Sequence, residues 1–198
     1  MEGALQDYTK AIKLDPFNDD SYYNRGNIYD RIGDPKSAIL DYDKAIKYNP
    51  NKPDAYNNRG WAYFETGDTK AALEDINKAI TMSPKYVQAY NNRGWIRFKA
   101  NDFKAALPDF NKAIEIQPDY VTAYYNRAMV KTAMTDYIGA IADYNSLLTL
   151  RPKDSNIYYN MGINYLGMRD TADACKQWSF AISMGNTKAQ EVAGQYCH

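Results

Sequence analysis

Five asparagines recur along the chain at one spacing: Asn24, Asn58, Asn92, Asn126 and Asn160, each thirty-four residues from the next. A side-chain amide carries both donors and an acceptor, so a row of amides can pair with the N–H and C=O groups of an extended peptide without reading its side chains. Trp61, Phe64, Trp95 and Phe98 accompany them in the two central copies, whereas the equivalent places elsewhere hold Asn27, Asp30, Met129, Thr132, Ile163 and Leu166. A repeat that accepts Asn, Asp or Thr there does not itself demand bulk, so these aromatics suit a hot spot for a peptide or an apolar ligand. Both sets have a plainer alternative: the amides could brace neighbouring helices, and aromatics at helical spacing could be core. Tyr23, Tyr125 and Tyr159 would line the ends of the same face.

Other chemistry finds little support. The one histidine, His198, is the last residue, and no Ser, Cys or Asp has a recognisable base and orienting partner. There is no glycine-rich phosphate loop and no metal-ligand spacing, and two cysteines alone do not make a structural zinc site. No catalytic residue, metal or cofactor is therefore expected. Lys+Arg and Asp+Glu number 24 each, without a run of like charge, which argues against a nucleic-acid partner. No apolar run approaches the length of a membrane span, and no export signal is visible at the start.

The elements that would position these residues follow from the repeat. Tyr56-Asn57-Asn58-Arg59-Gly60-Trp61 reappears as Tyr90-Asn91-Asn92-Arg93-Gly94-Trp95, and looser copies bring the total to five. The units are 19–52, 53–86, 87–120, 121–154 and 155–188, each with two apolar stripes at helical spacing separated by a break. The spacing predicts helical hairpins. Gly33-Asp34, Gly67-Asp68, Asn101-Asp102, Thr135-Asp136 and Arg169-Asp170 mark the turns, where Gly or Asn ends one helix and Asp caps the next. Pro50, Pro84, Pro118 and Pro152 separate the hairpins, and Pro108 should bend the helix that contains it. Residues 1–18 match the second half of a unit, so the chain is expected to extend upstream or to meet another chain there, for instance as a homodimer through Leu5, Tyr8 and Ile12. Residues 188–198 read as a capping helix.

Two further patterns come from comparing the copies. Arg25, Arg59, Arg93 and Arg127 are matched by Asp41, Asp75, Asp109 and Asp143 on the second helices, and the last copy replaces both, with Met161 and Gln177. The joint change predicts ion pairs within each hairpin, with contact to a neighbouring hairpin or anion binding by the arginines as alternatives. Cys175 and Cys197 each lie eleven residues from Asn186, which places them opposite one another across an antiparallel helix pair. A disulfide there would staple the cap and imply an oxidising compartment; two free thiols in a cytoplasmic protein are the alternative.

The order large, small, aromatic on the first helix and small, aromatic, small, proline on the second resembles the tetratricopeptide repeat family. Tyr56, Gly60, Tyr63, Ala72, Ile76, Ala79 and Pro84 carry the pattern in one unit; Arg97, Lys131, Ala128, Leu147 and Asn186 depart from it in others. The resemblance implies an all-α, right-handed superhelical α-solenoid whose first helices line a concave groove. It also implies a protein or peptide partner, because peptide-binding relatives such as O-GlcNAc transferase and kinesin light chain use an asparagine ladder. A clamp for a terminal carboxylate is not expected, since the corresponding places hold Asp20, Tyr23, Asp54, Asn57, Gln88 and Asn91. The tail from Ala174-Cys175 to Tyr196-Cys197 looks like the ends of exported bacterial repeat proteins. The expected function is a noncatalytic scaffold that binds an extended peptide, with the arm of a larger enzyme or a self-associating solenoid as alternatives. A periplasmic or otherwise exported location is expected, with the cytoplasm as alternative.

Overall fold

The computed structural model describes residues 2–197; Met1 and His198 lie outside them. Twelve α-helices and no strand occur among the described residues. They are α1 (Glu2–Leu14), α2 (Asp19–Arg31), α3 (Pro35–Tyr48), α4 (Pro53–Glu65), α5 (Thr69–Met82) and α6 (Val87–Lys99), followed by α7 (Phe103–Ile116), α8 (Val121–Ala133), α9 (Tyr137–Leu150), α10 (Ser155–Gly167), α11 (Thr171–Ser183) and α12 (Thr187–Tyr196). The chain divides into two compact units, Met1–Ile96 and Arg97–His198, with the division inside α6.

Each hairpin turn is closed by local chemistry. Asp34, Asp68, Asp102, Asp136 and Asp170 each accept a hydrogen bond from the backbone N–H three residues on, which satisfies one of the orphan donors at the start of the second helix. The residue before each Asp has positive φ: Gly33 and Gly67 at 78° and 91°, but also Asn101, Thr135 and Arg169 at 61°, 61° and 64°. Thr135 and Arg169 show that the turn is imposed by the packing of its two helices, since neither residue favours the left-handed region.

The core of each hairpin repeats one arrangement. On the second helices, Ala38, Ala72, Ala106, Ala140 and Ala174 are fully buried, and four residues on stand Tyr42, Ile76, Phe110, Tyr144 and Trp178, all buried as well. The large side chains need room on the facing helix. A Cβ on Gly26 would come within 2.8 Å of the Tyr42 ring, which is why the first helix carries a glycine there. Burial of each large side chain contributes about 2–3 kcal/mol. α7 continues as a helix through Pro108, which is exposed on its outer side. Cys175 and Cys197 are joined as a disulfide with their Cα atoms 5.7 Å apart, tying the end of α12 to α11.

Candidate functional site

In the N-terminal unit an open pocket of about 640 Å³ lies along the first helices α2, α4 and α6. Tyr23, Asn27 and Asp30 of α2, Asn57, Asn58 and Trp61 of α4, and Asn92 of α6 line it, with Tyr86 just before α6. Of the residues expected to bind a peptide, it brings together Tyr23, Asn58, Trp61 and Asn92.

The amides are linked to one another. Asn92 Nδ2 donates to Asn57 Oδ1 at 3.1 Å, and Asn57 Nδ2 donates to Asn58 Oδ1 at 3.0 Å. Asn58 Nδ2 donates to Asn27 Oδ1 at 2.9 Å and to the Tyr23 hydroxyl at 3.3 Å, while the Tyr42 hydroxyl donates to Asn27 Oδ1 at 2.8 Å. Both donors of Asn58 are therefore engaged inside the protein. Asn27 also bonds to the Tyr23 side chain, whereas no hydrogen bond among the described residues involves Asn92 Oδ1, so capacity for a bound backbone remains at Asn92 and at the exposed Gln88. Asn27 was not expected to bind a peptide, and Asn57 was placed on the groove wall without being counted among the peptide-binding residues. Asn57 is the first of the doubled asparagines in Tyr-Asn-Asn-Arg, and the doubling was the available signal.

Charge in this pocket is mainly acidic. Burial, and secondarily Glu65, raises the Asp30 carboxyl to about 6. Burial and the nearby Asp54 carboxylate push the Tyr86 phenol well above its usual range, so it stays protonated as a donor. The Trp61 indole N–H donates to Glu65 Oε1 at 2.9 Å, which fixes the ring.

The C-terminal unit holds a smaller pocket of about 240 Å³ lined by Phe98, Met129, Thr132, Tyr144, Asn160, Ile163 and Asn164. Here Asn160 uses its backbone carbonyl to accept from Asn164 Nδ2 at 2.8 Å, and Thr132 donates its hydroxyl to Asn164 Oδ1 at 2.8 Å. The walls are otherwise apolar.

The remaining expected site residues fall in neither of these two pockets. Phe64 packs against the Ala72–Ile76–Ala79 core, with its ring 5.5 Å from Trp61. Tyr125 donates to Asp154 at 2.7 Å and meets Tyr144 edge-on, while Tyr159 packs on the Trp178 cluster and its carbonyl accepts the Trp178 indole N–H at 3.2 Å. Asn126 is buried; Asn24 and Trp95 are half-buried on α2 and α6.

The arginines serve structure. Arg25, Arg59 and Arg127 each form a two-pronged pair with the Asp sixteen residues on, at 2.5–2.9 Å. Arg59, Arg93 and Arg127 also reach back to Asp43, Asn77 and Asn111 of the preceding hairpin. Arg97 and Lys131, which stand where other copies carry an aromatic, point at the same buried carboxylates: Arg97 Nη1 is 2.8 Å from Asp109 and Lys131 Nζ 2.8 Å from Asp143. That role was not read from the sequence. No cluster of three or more His, Cys, Asp or Glu able to hold a metal occurs among the described residues, and none of their helices is long and apolar enough to cross a membrane.

Stacked hairpins with short capped turns and an open first-helix groove define a helical-repeat interaction scaffold. Family profiles described as tetratricopeptide repeat match residues 23–87, 87–120 and 121–154, and one described as TPR repeat matches residues 1–33. The chain belongs to the tetratricopeptide repeat family, in which proteins bind protein or peptide partners. No curated protein sequence matches it significantly. Among solved structures, YrrB, described as a TPR protein with an unusual peptide-binding site, is similar with a TM-score of 0.75 at 21% identity, over 94% of this chain and 97% of that one. MamA is similar with a TM-score of 0.74 at 26% identity, over 83% of this chain and 96% of that one. A MamA structure from Desulfovibrio magneticus RS-1 gives 0.77 at 19% identity, over 85% and 96%.

Proposed function

We propose that this protein is a noncatalytic scaffold that holds an extended segment of a partner protein in the groove of its N-terminal unit. The observation that carries the reading is the 640 Å³ pocket in which Asn92 and Gln88 retain hydrogen-bonding capacity beside the Trp61 ring. Amides of this kind hold a peptide by its backbone, and Trp61 supplies an apolar contact for one side chain. The linked amides Asn57 and Asn58 keep the neighbouring first helices in register, so the groove is preformed and binding does not have to order it. YrrB, a structural neighbour, is itself described as carrying a peptide-binding site. A disulfide at Cys175 and Cys197 would suit an oxidising compartment.

The test compares capture of partners from the source organism's extract by the intact chain and by a Trp61→Ala/Asn92→Ala variant of verified helical content. A partner retained by the intact chain and lost by the variant supports the groove. Equal capture by both moves the function elsewhere on the molecule.

A further inference from the structure

Asp30 is the odd member of its register position. The equivalent residues are Phe64, Phe98, Thr132 and Leu166, so every other copy is apolar or has only a hydroxyl there. In the C-terminal unit Thr132 donates to Oδ1 of Asn164 in the following hairpin. Carried back by three repeats, the place opposite Asp30 is Ala62, which is fully buried and offers no donor. Asp30 Oδ1 is enclosed and has no hydrogen-bond partner.

One oxygen of this carboxyl is thus enclosed, while the residue as a whole lines the groove of the N-terminal unit. An unpaired carboxylate in such a place is unfavourable unless something compensates it, and only the groove side is open to a compensating group. The groups around it do not supply one. Glu65 on α4 and Asp54 at the start of α4 add negative charge, and Tyr42 on α3 directs its hydroxyl to Asn27. Arg31 lines the same pocket, but it is the next residue on α2, about 100° round the helix, and no hydrogen bond or ion pair joins it to Asp30 among the described residues. Trp61 provides an aromatic wall in the pocket, a surface that cations favour.

We infer that Asp30 forms a subsite in this groove that receives a lysine or arginine side chain of the bound extended peptide. The inference rests on the peptide-groove reading above and gives its ligand a chemistry: backbone held by the amides, with one cationic residue seated at Asp30. Binding such a cation favours the ionised carboxylate, so the peptide and a proton compete for the same group. With the free carboxyl at about 6, affinity for a cation-bearing peptide falls about tenfold between pH 7 and pH 5.

The test is a selection of randomised short peptides on the full chain and on D30N at neutral pH, followed by binding measurements on the selected peptides and on their norleucine-substituted counterparts. D30N is isosteric and removes a buried unpaired charge, so it should fold. The expected result is enrichment of Lys or Arg at one position on the natural chain and loss of that enrichment on D30N. The substituted peptide should bind the natural chain at least tenfold more weakly, with little difference on D30N. In addition, the Asp30 carboxyl carbon, followed by NMR, should titrate at lower pH when the peptide is bound. Enriched peptides without a Lys or Arg preference, or a preference that survives in D30N, overturn this inference and leave the groove reading standing. If no peptide is enriched on either protein, the groove reading fails and this inference falls with it.

Discussion

The pocket of the N-terminal unit and that of the C-terminal unit draw on the same register positions and hold opposite chemistry. Where the first has Asn27, Trp61 and Asp30, the second has Met129, Ile163 and Thr132. The first chains its amides from helix to helix and leaves a carboxylate uncompensated; the second satisfies its single polar pair, Thr132 and Asn164, internally. The repeat divides its positions between fold and groove. Alanines and one large side chain per second helix are buried in both units and fix the hairpin, so the groove positions are free to vary without loss of the fold.

The strongest way to press the comparison is through the buried ion pairs. Asp143→Ala leaves Arg127 and Lys131 facing one another and is expected to destabilise the chain by about 3–5 kcal/mol. Asp75→Ala leaves Arg59 still bonded to Asp43, and the loss should be about half as large. Urea unfolding of both variants measures the gap, and equal losses would show that Lys131 contributes nothing at Asp143.

Next in size is the staple. Reducing the bridge across a separation of 22 residues should lower stability by about 3 kcal/mol, and the loss belongs to the C-terminal unit. Hydrogen exchange should therefore quicken in α11 and α12 while α2 to α5 keep their protection; uniform acceleration would mean that the two units unfold together.

The amide chain makes a smaller difference. Asn58→Ala removes bonds to Tyr23, Asn27 and Asn57 and should cost about 1–2 kcal/mol by thermal unfolding. Asn160→Ala, where the bond to Asn164 is made by the backbone carbonyl, should cost less than half of that. The reverse order would mean that the amides of the first pocket are not structural.

The smallest expected effect is a pH dependence confined to the N-terminal unit. The Asp30 carboxyl is raised to about 6 in the folded protein, above its usual value near 4 when unfolded. Between these values the folded state binds the extra proton, so its contribution to stability is present at low pH and lost as pH rises through 6. Asp30→Asn should thus stabilise the chain at pH 7 by about 1 kcal/mol, after discounting for partial exposure, and make little difference at pH 4. Thermal melts across that range check the sign.

Much of this molecule could be read before it was seen. The thirty-four-residue spacing, the Gly/Asn-Asp turns and the Arg–Asp covariation gave hairpins, caps and ion pairs, because each depends on contacts within a turn or between two adjacent helices. The groove was legible only in outline. Asn58 and Trp61 line it as expected, but Phe64 packs into the core, since a position on the edge of a helix faces the groove or the next hairpin according to how the neighbour is inclined. Nor did the sequence distinguish an amide that waits for a ligand from one already bonded to its neighbour. Asn58 and Asn92 occupy identical places in the repeat, yet the first has both donors engaged and the second has one.

Local and nearest-neighbour rules were thus set by the sequence alone: the helices, their turns and which face is buried, all of which recur at every copy because the same short-range physics recurs. Tertiary structure decided which polar groups are left over. Asp30 Oδ1 is enclosed without a partner where the register that pairs Thr132 with Asn164 offers only Ala62, and hydrogen-bond satisfaction is a property of pairs brought together by folding that no single position announces.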